Sequence, residues 1–184
     1  MEEKIQCSIM QTNSIAINEL RNEAMFSVTE CESGLIISEY FGFDTRIVVP
    51  PVLFDKKVVK IGKRAFENSK CEAVFLPDTI IEIENEAFKH CSSLQEIILS
   101  KSLKRIGTWA FLWCKSLKTI TLPETLNYLG RECFMNSGIE QIVLPSGLHT
   151  VPNGCFFNCN LKQVILREGI SVIDKYAFGG FSFS

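Results

Sequence analysis

A small residue followed by phenylalanine recurs along this chain at nearly constant spacing. The pairs are Ala65-Phe66, Ala87-Phe88, Ala110-Phe111, Cys133-Phe134, Cys155-Phe156 and Ala177-Phe178, separated by 22, 23, 23, 22 and 22 residues. Four residues before each pair stands an aliphatic side chain: Ile61, Ile83, Ile106, Leu129, Val151 and Ile173. Three residues after the Phe come Ser69, Cys91, Cys114, Ser137, Cys159 and finally Phe181. A repeat of this length is one supersecondary unit that cannot bury its apolar face alone, so successive units must stack into a solenoid with a continuous core.

A second block follows each pair. Its clearest copy is Leu117, Ile120, Leu122, Pro123; the others are Cys71, Val74, Leu76, Pro77; Leu94, Ile97, Leu99; Ile139, Ile142, Leu144, Pro145; and Leu161, Val164, Leu166. Another aliphatic residue lies four positions on, at Ile80, Leu103, Leu126, Leu148 and Ile170. The alternation within these blocks predicts short strands, which stacking would pair in parallel. The proline removes a backbone donor and ends each strand. Around the small-Phe pair the apolar residues fall three and four apart, which predicts one helical turn.

The segment from Ile106 to Pro123, in the form I-G-x-x-A-F-x-x-C-x-S-L-x-x-I-x-L-P, resembles the BspA-like class of leucine-rich repeats. The resemblance covers roughly residues 35–184, with Ser100 and Arg167 in place of the proline and Cys71 in place of a leucine. It implies an α/β solenoid of leucine-rich-repeat type: mostly β, right-handed, with short parallel strands joined by helical or 3-10 turns. Residues 1–34 are expected to form an N-terminal cap segment. Residues 35–184 are expected to form one continuous array of five full repeats and a partial sixth.

An open solenoid needs polar caps at its ends. In the N-terminal segment INELRNEAMF reads as a short helix with Ile17, Leu20 and Met25 near one face. At the other end FGGFSFS replaces the expected strand, so either Phe181 and Phe183 fold over the last coil or the array continues. The first twenty residues are acidic and polar, unlike a secretory leader, and no apolar run reaches the ~18 residues of a membrane-spanning helix. Membrane insertion is therefore not expected. A formal net charge of −2 without blocks of like charge points away from nucleic acid as a partner.

Five of the eight cysteines are best explained by the repeat itself, and Cys7, Cys31 and Cys71 are left over. Cys91, Cys114 and Cys159 share one position, and Cys133 and Cys155 fill the small-residue slot, where a thiol acts as a compact hydrophobe. Stacking would bring Cys91 near Cys114, and Cys133 near Cys155, within disulfide reach on distance alone. Many thiols without a clear pairing scheme fit a reducing compartment. The absence of any C-x-x-C pair argues against zinc. His90 and His149 read as surface residues, and Glu82, Glu84 and Glu86 as a solvated edge. No nucleophile, phosphate-binding or dinucleotide motif is present, so no catalytic residue, metal site or cofactor is expected, and the chain reads as a non-enzyme.

What the repeat does offer is columns of side chains between the core positions. One runs Phe75, Ile98, Thr121, Val143, Ile165, and is apolar where residues should face outward. Its neighbour runs Ala73, Glu96, Thr119, Gln141, Gln163, and a column from the second strand runs Lys60, Glu82, Arg105, Tyr128, Thr150, Val172. An exposed apolar strip marks a contact surface, so the strip from Phe75 to Ile165 is the candidate partner-binding site. The family resemblance implies surface-exposed bacterial or protozoan proteins that mediate adhesion or bind host and partner proteins. The expected function is a protein-protein interaction module at the cell surface. The alternative is an intracellular scaffold that self-associates through the apolar column or the C-terminal end. A carbohydrate-binding role would use Trp109, Trp113 and Tyr128 as stacking platforms.

Overall fold

The computed structural model describes residues 24–180. The expected helix over INELRNEAMF falls almost wholly outside these residues, as does the expected cap by Phe181 and Phe183. The described chain opens with an antiparallel hairpin of β1 (Phe26–Cys31) and β2 (Gly34–Tyr40). Then come β3 (Arg46–Val48), β4 (Val52–Leu53) and the longer β5 (Lys56–Ile61). From there each coil contributes very short strands. These are β6 (Ala73–Phe75), β7 (Glu82–Ile83), β8 (Glu96–Ile98), β9 (Arg105–Ile106), β10 (Tyr128–Leu129), β11 (Gln141–Leu144), β12 (Thr150–Val151), β13 (Gln163–Leu166) and β14 (Val172–Ile173).

The strands stack into two ladders. The first takes the L-x-x-I-x-L blocks: β3, β6 and β8 pair in parallel, and so do β11 and β13. Between these groups residues 119–122 form no strand and touch the ladder through a single bridge, Thr119 to Gln141. The second ladder runs from the hairpin through β5, β7, β9 and β10, and β12 pairs with β14. The coils are therefore mostly β, about six turns of solenoid, as the repeat predicts.

The turns depart from expectation: the small-Phe segment is not helical in any coil. Ala65, Glu67 and Ser69 donate their N–H groups three residues back, to Gly62, Arg64 and Phe66, at 2.9–3.2 Å. The residues between them donate forward to the next coil: Arg64 to Asn85, Phe66 to Ala87 and Asn68 to Lys89, at 2.8–3.3 Å. The same alternation recurs with Glu132, Phe134 and Asn136, which donate to Asn153, Cys155 and Phe157. A helix would commit every one of these donors to its own coil. Committing alternate donors outward requires left-handed residues two before and two after each Phe. The pairs Arg64 and Asn68, Glu86 and His90, Trp109 and Trp113, and Glu132 and Asn136 have φ between 55° and 64°. The spacing of three and four thus arises from a chain of tight turns, and the α part of the expected α/β class is not formed in the repeats.

The core is a column of stacked rings. Phe66, Phe88, Phe111, Phe134, Phe156 and Phe178 lie 4.9–5.5 Å apart and within 10° of parallel. Tyr40 and Phe26 of the hairpin continue the stack at 5.5 and 5.2 Å, which closes the N-terminal end with aromatic surface. Glycine has a specific place in this packing. Gly130 sits so close to the preceding coil that a Cβ would overlap the backbone of Gly107 and Thr108.

Candidate functional site: the outward strip and its surroundings

The first ladder carries the candidate strip in register. Phe75 pairs with Ile98 and Val143 with Ile165, with Thr121 exposed between them. Ile98, Val143 and Ile165 are 50%, 40% and 45% exposed, while their sequence neighbours Ile97 and Ile142 are buried. Alternation along each strand sends one residue into the core and the next outward. Phe75 differs: it is half-buried because Arg46 of β3 lies over its ring at 5.1 Å. Arg46 reaches Glu96 as well, at 3.5 Å.

Sequence reasoning missed one member of this column. Val48 pairs with Phe75 and is exposed. The signal was present, since Val49-Pro50 repeats Leu76-Pro77 and puts Val48 in the place of Phe75.

Over the C-terminal half of the strip the surface forms a groove of about 320 Å³. Thr121, Val143 and Ile165 line it beside the amide and hydroxyl groups of Thr119, Gln141 and Gln163. An ion pair between Arg167 and Glu124, at 2.9 Å, lies among its lining residues. The groove thus joins apolar surface to hydrogen-bonding side chains and one ion pair.

The second outward column is electrostatically self-contained. Lys60 and Arg105 both reach Glu82, at 2.8 and 3.4 Å, and the Arg105 guanidinium covers Tyr128 at 3.9 Å. The bond to Glu82 raises the Lys60 pKa from its ordinary value. One face of the Tyr128 ring is therefore taken by Arg105, while the side chain stays partly exposed. Trp113 stacks on His90 at 6.3 Å and receives Lys115 at 4.8 Å. Trp109 donates its indole N–H to Glu132 at 2.9 Å beneath Lys89. These aromatic residues tie neighbouring coils together.

The alternating glutamates are not a solvated edge. Glu86 is buried, at 4% exposure, and its carboxylate accepts hydrogen bonds from Lys89 and Arg64 at 2.9 and 2.8 Å. These bonds hold its pKa below the ordinary carboxylate value. Glu84 accepts the backbone N–H of Lys63. His90 and His149 are exposed, as expected.

Each cysteine in the third position after Phe has a structural task. The thiols of Cys91, Cys114 and Cys159 donate to the carbonyls of Phe66, Phe88 and Phe134 in the preceding coil, at 3.0–3.1 Å. Burial pushes the Cys159 thiol up to about 11 and raises Cys114 further. A hydrogen bond with Cys71, together with burial, raises Cys91, and the same contact lowers Cys71. Cys133 and Cys155 place their sulfurs 3.3 Å apart. All the described cysteines are free thiols. Among the described residues no group of three or more His, Cys, Asp or Glu is placed to hold a metal, and no helix is long and apolar enough to cross a membrane.

Comparison with solved structures places these features in a known architecture. A leucine-rich-repeat protein of T. pallidum superposes with a TM-score of 0.74 at 24% identity, covering 82% of this chain and 84% of that one. A leucine-rich cell surface protein of Faecalibacterium prausnitzii gives 0.74 at 29% identity, covering 84% of this chain and 46% of its own. One from Bacteroides ovatus gives 0.64 at 25% identity, covering 81% and 51%. The chain thus spans about half the length of the latter two. No curated protein matches the sequence. The family model for the BspA type leucine rich repeat region matches residues 59–183 in six copies. With coils, core and family model in agreement over most of its length, the chain belongs to the BspA-type leucine-rich-repeat family.

Proposed function

We propose that this chain is a non-enzymatic protein-interaction module that takes a protein partner along the strip from Phe75 to Ile165. The observation that carries the reading is the exposure of Ile98, Val143 and Ile165 on a hydrogen-bonded ladder. Apolar side chains held in water by a rigid scaffold favour a partner that covers them, and no conformational order has to be created first. Leucine-rich repeats commonly mediate protein interaction, in keeping with this reading. The cell surface description of the F. prausnitzii protein favours a location on a cell surface.

A differential capture experiment tests this. Wild-type chain and an Ile98→Asp/Val143→Asp variant are immobilised and exposed to the same protein mixture, with Lys104→Glu as a control outside the strip. The proposal expects proteins that bind wild type and the control and are lost from the double variant. If the double variant retains every bound protein, the strip is not the contact surface.

A second reading, a self-associating scaffold, would bury the apolar column against a second copy of the chain: Val48, Ile98, Val143 and Ile165 are 66%, 50%, 40% and 45% exposed. This reading expects concentration-dependent dimers by sedimentation, abolished by Ile98→Asp. Sedimentation as a monomer at all concentrations would exclude it.

A further inference from the structure

One seam in the solenoid lacks a backbone bond that the others have. At the position after the aliphatic residue of each second-ladder strand, Gly62, Glu84, Gly107, Gly130 and Asp174 donate their N–H to the preceding coil. The acceptors are Ile37, Ile61, Ile83, Ile106 and Val151, at 2.8–2.9 Å. The equivalent residue in the fifth coil is Pro152, which has no N–H to give. Accordingly β10 and β12 are adjacent but unpaired, while β10 is bonded to β9 and β12 to β14.

Two cysteines lie across this same seam. Four of the six coils place alanine before the Phe, at 65, 87, 110 and 177; only the fourth and fifth coils place cysteine there. The two sulfurs face each other at 3.3 Å, and Phe134 donates to the Cys155 carbonyl at 2.9 Å on the adjoining turn. Coils on either side of the seam are thus held in register at the turn and by the pairing of β11 with β13, while β10 and β12 are left unbonded.

We propose that Cys133 and Cys155 form a reversible redox staple, oxidised by a small-molecule disulfide, that closes the seam left by Pro152. A disulfide needs an S–S distance of about 2.05 Å, so the sulfurs must approach by somewhat more than 1 Å, a small adjustment where β10 and β12 are unpaired. In the reaction one cysteine thiolate attacks the small disulfide and releases one small thiolate. The second cysteine thiolate attacks the mixed disulfide and releases the other. The two cysteines are oxidised by two electrons, the small disulfide is reduced to two thiols, and the two cysteine protons end on them. Both thiols are buried, and burial raises Cys155 well above its ordinary value. The attacking thiolate therefore forms when the seam opens, which makes opening the gate to oxidation.

The test uses the full 184-residue chain incubated with oxidised glutathione, followed by alkylation in denaturant and peptide mapping. The expected result is the loss of two alkylatable thiols and a linked peptide pair containing Cys133 and Cys155. Amide exchange around Tyr128 and Thr150 should slow on oxidation. Cys133→Ala and Cys155→Ala restore the residue that other coils use at this slot, so both should fold. Both should show no linked pair and no change in exchange. The proposal is overturned if the seam exchanges yet the thiols stay unlinked, if oxidation stops at the mixed disulfide, or if another pair such as Cys71 and Cys91 links first.

Discussion

The ring of Phe88 lies on that of Phe111 at 5.2 Å and within 2° of parallel, and both side chains are fully buried. Each ring packs against those of the adjoining coils, and the ladders likewise join each coil to its neighbours, so loss of one ring is a local fault with a large local cost. Phe111→Ala should cost on the order of 3–5 kcal/mol. Because stability in a stacked array is a sum of neighbour terms, unfolding should split into two transitions instead of shifting as one. Denaturant titration followed by Trp109 and Trp113 fluorescence and by circular dichroism checks this. One sharp transition with an unchanged midpoint would contradict it.

The left-handed columns predict a difference between two substitutions at one site. Asn136 has φ 57° and its side-chain oxygen accepts from Asn158 at 2.6 Å. Asn136→Ala and Asn136→Gly both lose that bond, but only alanine carries a Cβ into the left-handed region, at a cost of roughly 1 kcal/mol. The glycine variant should therefore be the more stable of the two in urea melts. Equal midpoints would mean that the turn relaxes.

Restoring a donor at the seam should change dynamics more than stability. Pro152→Ala returns an N–H that can reach the Leu129 carbonyl, a gain of about 1 kcal/mol. It also frees the unfolded chain, at a cost of about 0.4–1 kcal/mol. The midpoint should move little, while amide exchange around Thr150 and Val151 slows markedly. Unchanged exchange would show that the missing donor is not what leaves the seam open.

Acid sensitivity should trace to Glu86. Lys89 and Arg64 lower its pKa in the folded chain. Its contribution is therefore complete above the unfolded carboxylate range, near about 4.3, and is lost as pH falls through the lower folded value. Glu86→Gln should melt below wild type at neutral pH, with the gap narrowing as pH drops toward about 2. A gap independent of pH would assign the loss to packing alone.

The buried positions were largely legible because the repeat names them six times over. Ile83, Leu103 and Phe134 are all fully buried, each where its column places it. Legibility failed where a residue's fate depends on a side chain from another coil. Ala73 occupies an outward position and is nevertheless buried, Phe75 is shielded by Arg46, and Glu86 is drawn in by Arg64 and Lys89. Each partner lies at a sequence distance that periodicity does not rank. The strip, its outward placement and its extension to Val48 could be located in the sequence, but the shielding of Phe75 and the groove at its C-terminal half could not.

By itself the sequence determined the period, the identity of the core column and the slots that the cysteines occupy. All three are properties of one coil multiplied, and stacking demands the same small or aromatic residue at the same place each time. Tertiary structure alone decided how the turns are made. Spacing of three and four satisfies a helix and a chain of tight turns equally, and the choice falls to the carbonyls of the next coil, which claim every second N–H. It also decided where the ladders break. Pro152 is an ordinary residue in a linear reading; only when its neighbour's Leu129 carbonyl lies opposite does its missing donor become a seam.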